Sequence, residues 1–357
     1  MSEFNSAVSD WSSSPAATIK ALLSRKKWTS SDFAKRIGMS AVDANKLLDG
    51  LLSIDSLIAQ DLENVLGGSA KFWLKREFEY RVDRDNEEAL NPDHWIKTLP
   101  VKEMREWGWI SATDDAVASC KDFFAVKTVR DWRIKYQEIA SSSYFRRTTC
   151  SLDKTGLVSA WLRFQELQAL KIDCAPWSAA KFEASFEEIK SLTFEREPAS
   201  FIPKLRRICA ECGVAVVVAR SPAGSTISGA AMFLNDHKAV IALSFRHLSD
   251  DHLWFTFFHE AGHLILHAKN GPFVDDDGAQ SADSKEDEAN RFASEVIIPA
   301  KDRSELIRSR YSKFAIVRIA KKNNVCAGLL VGQLQKGGYL PYNRMNSLKR
   351  RYSWTNL

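Results

Sequence analysis

Two histidines and a glutamate stand in one short run, His259-Glu260-Ala261-Gly262-His263, and six of the seven histidines of the chain fall between His237 and His267. On an α-helix, residues four apart are rotated by only about 40° and share a face, so both imidazoles can meet one metal ion. Glu260 lies about 100° round from His259, off the ligand row but within reach of a water at that metal. This is the geometry of the H-E-x-x-H zinc helix, in which the glutamate serves as general base. A two-histidine site needs a third protein ligand and leaves a fourth position open for water or substrate, which favours catalysis over a closed structural site. The acidic run Glu286-Asp287-Glu288, which starts a second helical stretch, can bring a carboxylate back to the first. The flanks Leu253–Phe258 and Leu264–Leu266 are apolar. A buried helix carrying this many polar groups without partners would cost several kcal/mol, which a metal removes. His267 lies about 80° from His259, so three histidines on one straight helix make a strained set. Asp250 and Asp251 are candidates to orient a ligand imidazole or to cap the helix.

These residues need two helices and a support. The pattern predicts helices over 252–268 and 285–296, the second stopped by Pro299, joined by an acidic loop. Short β-rich runs at Val214–Ala219, Gly229–Leu234 and Ala239–Leu243 predict a small sheet ahead of them. Near the N-terminus the periodicity predicts a five-helix bundle. Helices over 30–37 and 41–48, joined through Gly38-Met39-Ser40, follow a helix-turn-helix plan. The fold class expected is therefore α+β and predominantly helical. It comprises a mobile Ser-rich tail over 1–15, a helix-turn-helix domain over 16–82 and a tryptophan-rich helical connecting domain over 83–200. A metallopeptidase domain over 201–300 and a helical extension over 301–357 complete it.

Composition narrows the classes. The chain has 357 residues, 45% hydrophobic and 27% charged, with a net charge of +5. That excludes disordered and collagen-like proteins, and the charge alone does not make a nucleic-acid binder. Six cysteines are sparse, which fits reduced thiols. Cys209 and Cys212 form a lone C-x-x-C with no second pair, read as two small packing residues. The N-terminus has no basic segment followed by an apolar run, and no stretch approaches the ~20 apolar residues of a membrane span. A cytoplasmic protein without membrane contact is expected.

The chain resembles the ImmA/IrrE-type metallo-endopeptidases fused to an N-terminal helix-turn-helix of the XRE or HigA-antitoxin type. The resemblance is carried by Cys209–Val218, Ile241–Arg246, Asp250–His263 and Glu288–Ala293 leading to Ile298-Pro299. Leu99–Trp109 and Gly328–Leu334 add to it. It implies a zincin-like fold, Zn²⁺, and hydrolysis of a peptide bond in a protein substrate, a helix-turn-helix repressor or antitoxin of stress, phage or mobile-element genes. It places the metal on His259, His263 and Glu288, with Glu286 as the alternative third ligand, and the base on Glu260. His247 stands where relatives carry Tyr; His247 and His267 are candidates to stabilise an oxyanion or to support the ligands. Gly229–Phe233 lacks the arginine that relatives carry there.

The N-terminal module leaves two roles open. Residues 18–52 hold seven basic against three acidic side chains. Ser40, Asn45 and Lys46 are the candidate DNA contacts on its second short helix, although Asp43 beside them is unfavourable near phosphate. The alternative to DNA is protein docking or a homodimer. A rival for the whole chain is a DNA-binding regulator or antitoxin whose metal domain senses a signal or docks a partner without proteolysis; a base at Glu260 has no use there. Residues 275–288 carry seven acidic groups against Lys285, a charge suited to a basic substrate.

Overall fold

The computed structural model describes residues 14–84, 91–112, 115–141, 152–267 and 282–354. Most of the tail expected over 1–15, and residues 275–281 of the acidic run, lie outside the described residues. The chain forms two compact units, one of residues 1–96 with 126–134, the other of residues 97–125 with 135–357.

In the first unit, helices α1 (Pro15–Lys26), α2 (Ser30–Ile37), α3 (Ala41–Leu48), α4 (Ser56–Leu66) and α5 (Ala70–Arg84) surround one apolar core. Each of the first four starts on a side-chain cap. Ser14, Thr29, Ser40 and Asp55 accept from the backbone N–H three residues on, each worth about 1 kcal/mol. Gly38 ends α2 at φ 74°, a left-handed conformation that glycine adopts without strain, and so turns the chain into α3. Ile19, Phe33, Ala44, Leu62 and Trp73 are fully buried between the helices. Arg76 Nε donates to Thr18 Oγ1 at 2.7 Å, tying α5 to α1. Helix α6 (Pro92–Thr98) adds Trp95, whose ring packs edge-on against Trp132 at 5.7 Å.

The second unit is built on a three-stranded sheet. Helices α7 (Val101–Glu106), α8 (Ala116–Phe124), α9 (Val129–Ser141), α10 (Leu152–Leu170), α11 (Ala179–Ala184), α12 (Phe186–Leu192) and α13 (Pro198–Glu211) lead to it, residues 129–134 of α9 belonging to the first unit. The strands are β1 (Val214–Val218), β2 (Gly229–Asn235) and β3 (Lys238–Leu243), in spatial order β1-β3-β2. β1 runs parallel to β3 and β2 antiparallel, with Gly229 opposite Leu243. Both faces are covered, so the strands read as nearly continuous apolar runs. Val214, Val216, Ala231, Ala239 and Ile241 turn to one core; Ala215, Val217, Ala230, Val240 and Ala242 turn to another, which α10 supplies with Val158, Trp161 and Leu162. Part of the stretch read as a connector is thus a wall of the sheet's core.

Helices α14 (Asp250–His267), α15 (Ala282–Ile297), α16 (Ala300–Arg308), α17 (Lys313–Lys322) and α18 (Ala327–Lys336) follow. The expected α+β, predominantly helical class is observed, with eighteen α-helices and one small sheet among the described residues. Leu253, Trp254, Phe257 and Phe258 press α14 against the sheet. Cys209 and Cys212 are free thiols in this core, the packing role expected of them. No helix of the described residues is long and apolar enough to cross a membrane.

Candidate metal centre

The apolar face of α14 dictates where its polar residues go. With Trp254, Phe257, Phe258 and Ala261 turned into the core, His259 and His263 emerge together one turn apart on the opposite side. Their Nε2 atoms lie 3.1 Å apart. Helix α15 crosses α14 closely because Gly262 has no side chain: a Cβ there would stand 3.0 Å from Phe292 Cδ1 and 3.4 Å from the Ala289 backbone. That approach delivers Glu286. Its Oε1 lies 3.2 Å from His263 Nε2 and its Oε2 lies 3.4 Å from His259 Nε2.

One ligand atom from each of these three residues falls within 4.8 Å of the others, and among the described residues they form a group able to hold a metal ion. Ligands at 2.0–2.1 Å from a tetrahedral ion stand about 3.3 Å from one another. The observed separations meet that spacing, and two imidazoles with one carboxylate are the donor set of an open zinc site. The residues fit the metal.

Electrostatics agree with that use at two of the three corners. At His259 burial pulls the imidazole down, but Glu286 and Glu260 outweigh it and raise it toward the charged form, whose proton a metal must displace. Burial pushes the Glu286 carboxyl up, but hydrogen bonds from the two imidazoles outweigh it and hold the group at about 2. Glu286 is therefore ionised at neutral pH, as a ligand must be. Burial drives His263 down, toward the neutral form that donates a lone pair. Glu260 is outside this group and nearly buried, at 6% exposure. Burial pushes its carboxyl up to about 7, against the pull of His259 and with help from Glu286. Its seat is the first residue of β2: a Cβ on Gly229 would lie 2.8 Å from Glu260 Oε1 and 2.5 Å from Thr256 Cγ2.

Residues 213–330 match the IrrE N-terminal-like domain family, Peptidase_M78. No curated protein and no solved structure matches the chain. The IrrE-like segment begins one residue before β1 and reaches into α18, so it contains the sheet and the whole group of His259, Glu260, His263 and Glu286. A cleft of about 620 Å³ is lined by His259, Glu260 and Glu286 of this group, and one of its walls lies beyond the IrrE-like segment, in residues 332–351.

The third corner corrects an expectation. The resemblance placed the metal on Glu288; in the structure the alternative, Glu286, reaches the imidazoles. Two residues on a helix are about 200° apart, so Glu288 points away from that corner, its Oε2 4.0 Å from His267 Nε2. His267 also sits 3.4 Å from the Lys285 carbonyl, bridging α14 to α15 rather than joining the site. His247 does not line the cleft; its ring stacks on His252 at 4.0 Å. Asp250 and Asp251 touch neither ligand imidazole. Asp250 Oδ1 accepts from the backbone N–H groups of Asp251 and Arg350, and Asp251 pairs with Lys349 at 2.6 Å.

In the first unit, Ser40, Asn45 and Lys46 are exposed on α3. Ser40 is engaged as its cap, donating to Asp43 Oδ2 at 2.8 Å, and Lys46 Nζ lies 3.4 Å from Asp43 Oδ1. Sequence reasoning missed the cleft-lining side chains Lys349 and Arg351, visible only as a basic cluster near the C-terminus, and Gln335.

Proposed function

We propose that the protein is a zinc-dependent endopeptidase acting on an extended segment of another protein. The observation that carries this reading is the division of labour between neighbouring acids. Glu286 closes the triangle with His259 and His263, while Glu260, adjacent to His259, stays out of that set and is seated against Gly229 at the cleft. The match of residues 213–330 to a peptidase family supports it.

Zinc, held by His259, His263 and Glu286, would polarise the scissile carbonyl and acidify a water. Glu260 takes a proton from the attacking water and delivers it to the nitrogen of the leaving amine as the peptide bond breaks. Gly229, which has no side chain, leaves the room this carboxylate occupies at the cleft. β2 is an edge strand, and Thr226–Gly229 line the cleft at its start. Among the described residues no strand pairs with its outer edge, whose backbone groups can hold a substrate segment by β-pairing. The resemblance to ImmA/IrrE-type enzymes implies a helix-turn-helix repressor or antitoxin as substrate.

The test is incubation of the zinc-loaded protein with candidate repressors encoded beside it, with fragments identified by mass spectrometry. Cleavage by the wild type and none by Glu260→Gln is expected. Equal cleavage by both rejects the mechanism.

A further inference from the structure

The cleft continues beyond the IrrE-like segment into a C-terminal strap, residues 337–354, that is locked to the first turn of α14. Gln335, 2% exposed, donates through Nε2 to the Arg344 carbonyl at 2.8 Å and to Asn346 Oδ1 at 3.0 Å. Lys349 Nζ bridges Gln335 Oε1 and Asp251 Oδ2, each at 2.6 Å. Ser249 and Arg351 form a β-bridge, and Tyr352 N–H donates to the Leu248 carbonyl at 2.8 Å. Gly328 and Gly332 on α18 leave room for this joint, since a Cβ on either would collide with the Asp250 or Asp251 carboxylate.

The locked strap presents Arg351 to the cleft beside His252. Among the described residues the cleft carboxylates are three. Glu260 and Glu286 belong to the metal end, and Asp251 is neutralised by Lys349. Arg351 is exposed and its guanidinium has no carboxylate partner among the described residues; Nη1 donates to the His247 carbonyl at 3.3 Å, which aims the group without neutralising it. An exposed guanidinium held by this one hydrogen bond keeps its other N–H groups for a carboxylate.

Resting on the peptidase reading, we infer that Arg351 forms a subsite for an acidic side chain of the substrate, about three residues from the scissile bond. The distance follows from the helix. His252 precedes His259 by two turns, about 10 Å of rise, which an extended peptide spans in about three residues at 3.3 Å each. Lys336, over the Phe255 ring at 4.8 Å, lines the same cleft and adds positive charge to it.

The experiment uses the full-length zinc-loaded protein and a library of extended peptides carrying Glu, Gln or Lys at each position. Cleavage is read with the wild type and binding with Glu260→Gln, each also bearing Arg351→Gln or Arg351→Glu. Glu should be preferred over Gln about fivefold at the third position on one side of the bond. Arg351→Gln should erase the preference, and Arg351→Glu should turn it toward Lys, with unchanged melting temperature. A preference that survives Arg351→Gln, or cleavage with none in the wild type, overturns the subsite and leaves the peptidase reading intact. Arg351-dependent binding without any cleavage overturns the peptidase reading and leaves the subsite. Neither binding nor cleavage overturns both.

Discussion

Glu286 Oε1 lies 3.2 Å from His263 Nε2, and this single approach selects which of two neighbouring glutamates completes the triangle with His259 and His263. Glu286→Gln should therefore lower zinc affinity by at least about a hundredfold, because a charged ligand is lost. Glu288→Gln, on the other side of the helix, should retain stoichiometric zinc. Elemental analysis after dialysis against a weak chelator separates the two; equal retention would refute the assignment.

Gly229 packs against Thr256 and the proposed base, Glu260. A methyl group there collides with Thr256 and with Glu260 Oε1, so Gly229→Ala should push the carboxylate out of line. We expect kcat to fall about a hundredfold, the size of effect that misplacing a catalytic group by about 1 Å produces. Zinc content should not change. Loss of metal together with activity would mean that the strand supports the whole site rather than the base.

The pH profile should follow Glu260. The group accepts a proton only when ionised, so kcat/KM must fall as pH falls through its pKa. Burial places it at about 7 without a cation, and a dication nearby draws it lower. The acid limb of the zinc-loaded enzyme should thus lie between about pH 5 and 7. A rate that rises as pH falls through that window would exclude a carboxylate base.

The Asp251–Lys349 pair should govern stability. Both side chains are largely buried, and Lys349→Met leaves the Asp251 carboxylate and the Gln335 carbonyl oxygen without their donor. A cost of about 3 kcal/mol is expected, read as a lowered unfolding midpoint. Asp251→Asn with Lys349→Met should recover part of it, as both charges are then gone. The sign with pH is also determined. Burial raises the Asp251 carboxyl, but Lys349, by hydrogen bond and charge, and a Ser249 hydrogen bond together outweigh it and hold it below the usual range. The pair's contribution is complete above the unfolded carboxyl's pKa and is lost as pH falls through the lower folded value. Lys349→Met should flatten this acid dependence.

The local chemistry was legible from residue order. Four-residue spacing put His259 and His263 on one face whatever surrounds them, because helical rotation depends on the backbone alone. Caps at Thr29 and Ser40, the turn at Gly38 and the apolar strand runs were likewise readable, since each is decided within a few residues. The choice of Glu286 was partly written in α15. Glu286 lies in line with Ala289, Ala293 and Ile297, all fully buried, so the small-residue row marked the face that meets α14. What tertiary structure alone decided involves partners far apart in the chain: Gly229 under Glu260, α10 across the second face of the sheet, and Lys349 and Arg351 at the head of α14. No local pattern announces such contacts. They arise where packing brings two surfaces together, and the charge of a basic cluster says nothing about which buried acid it will meet.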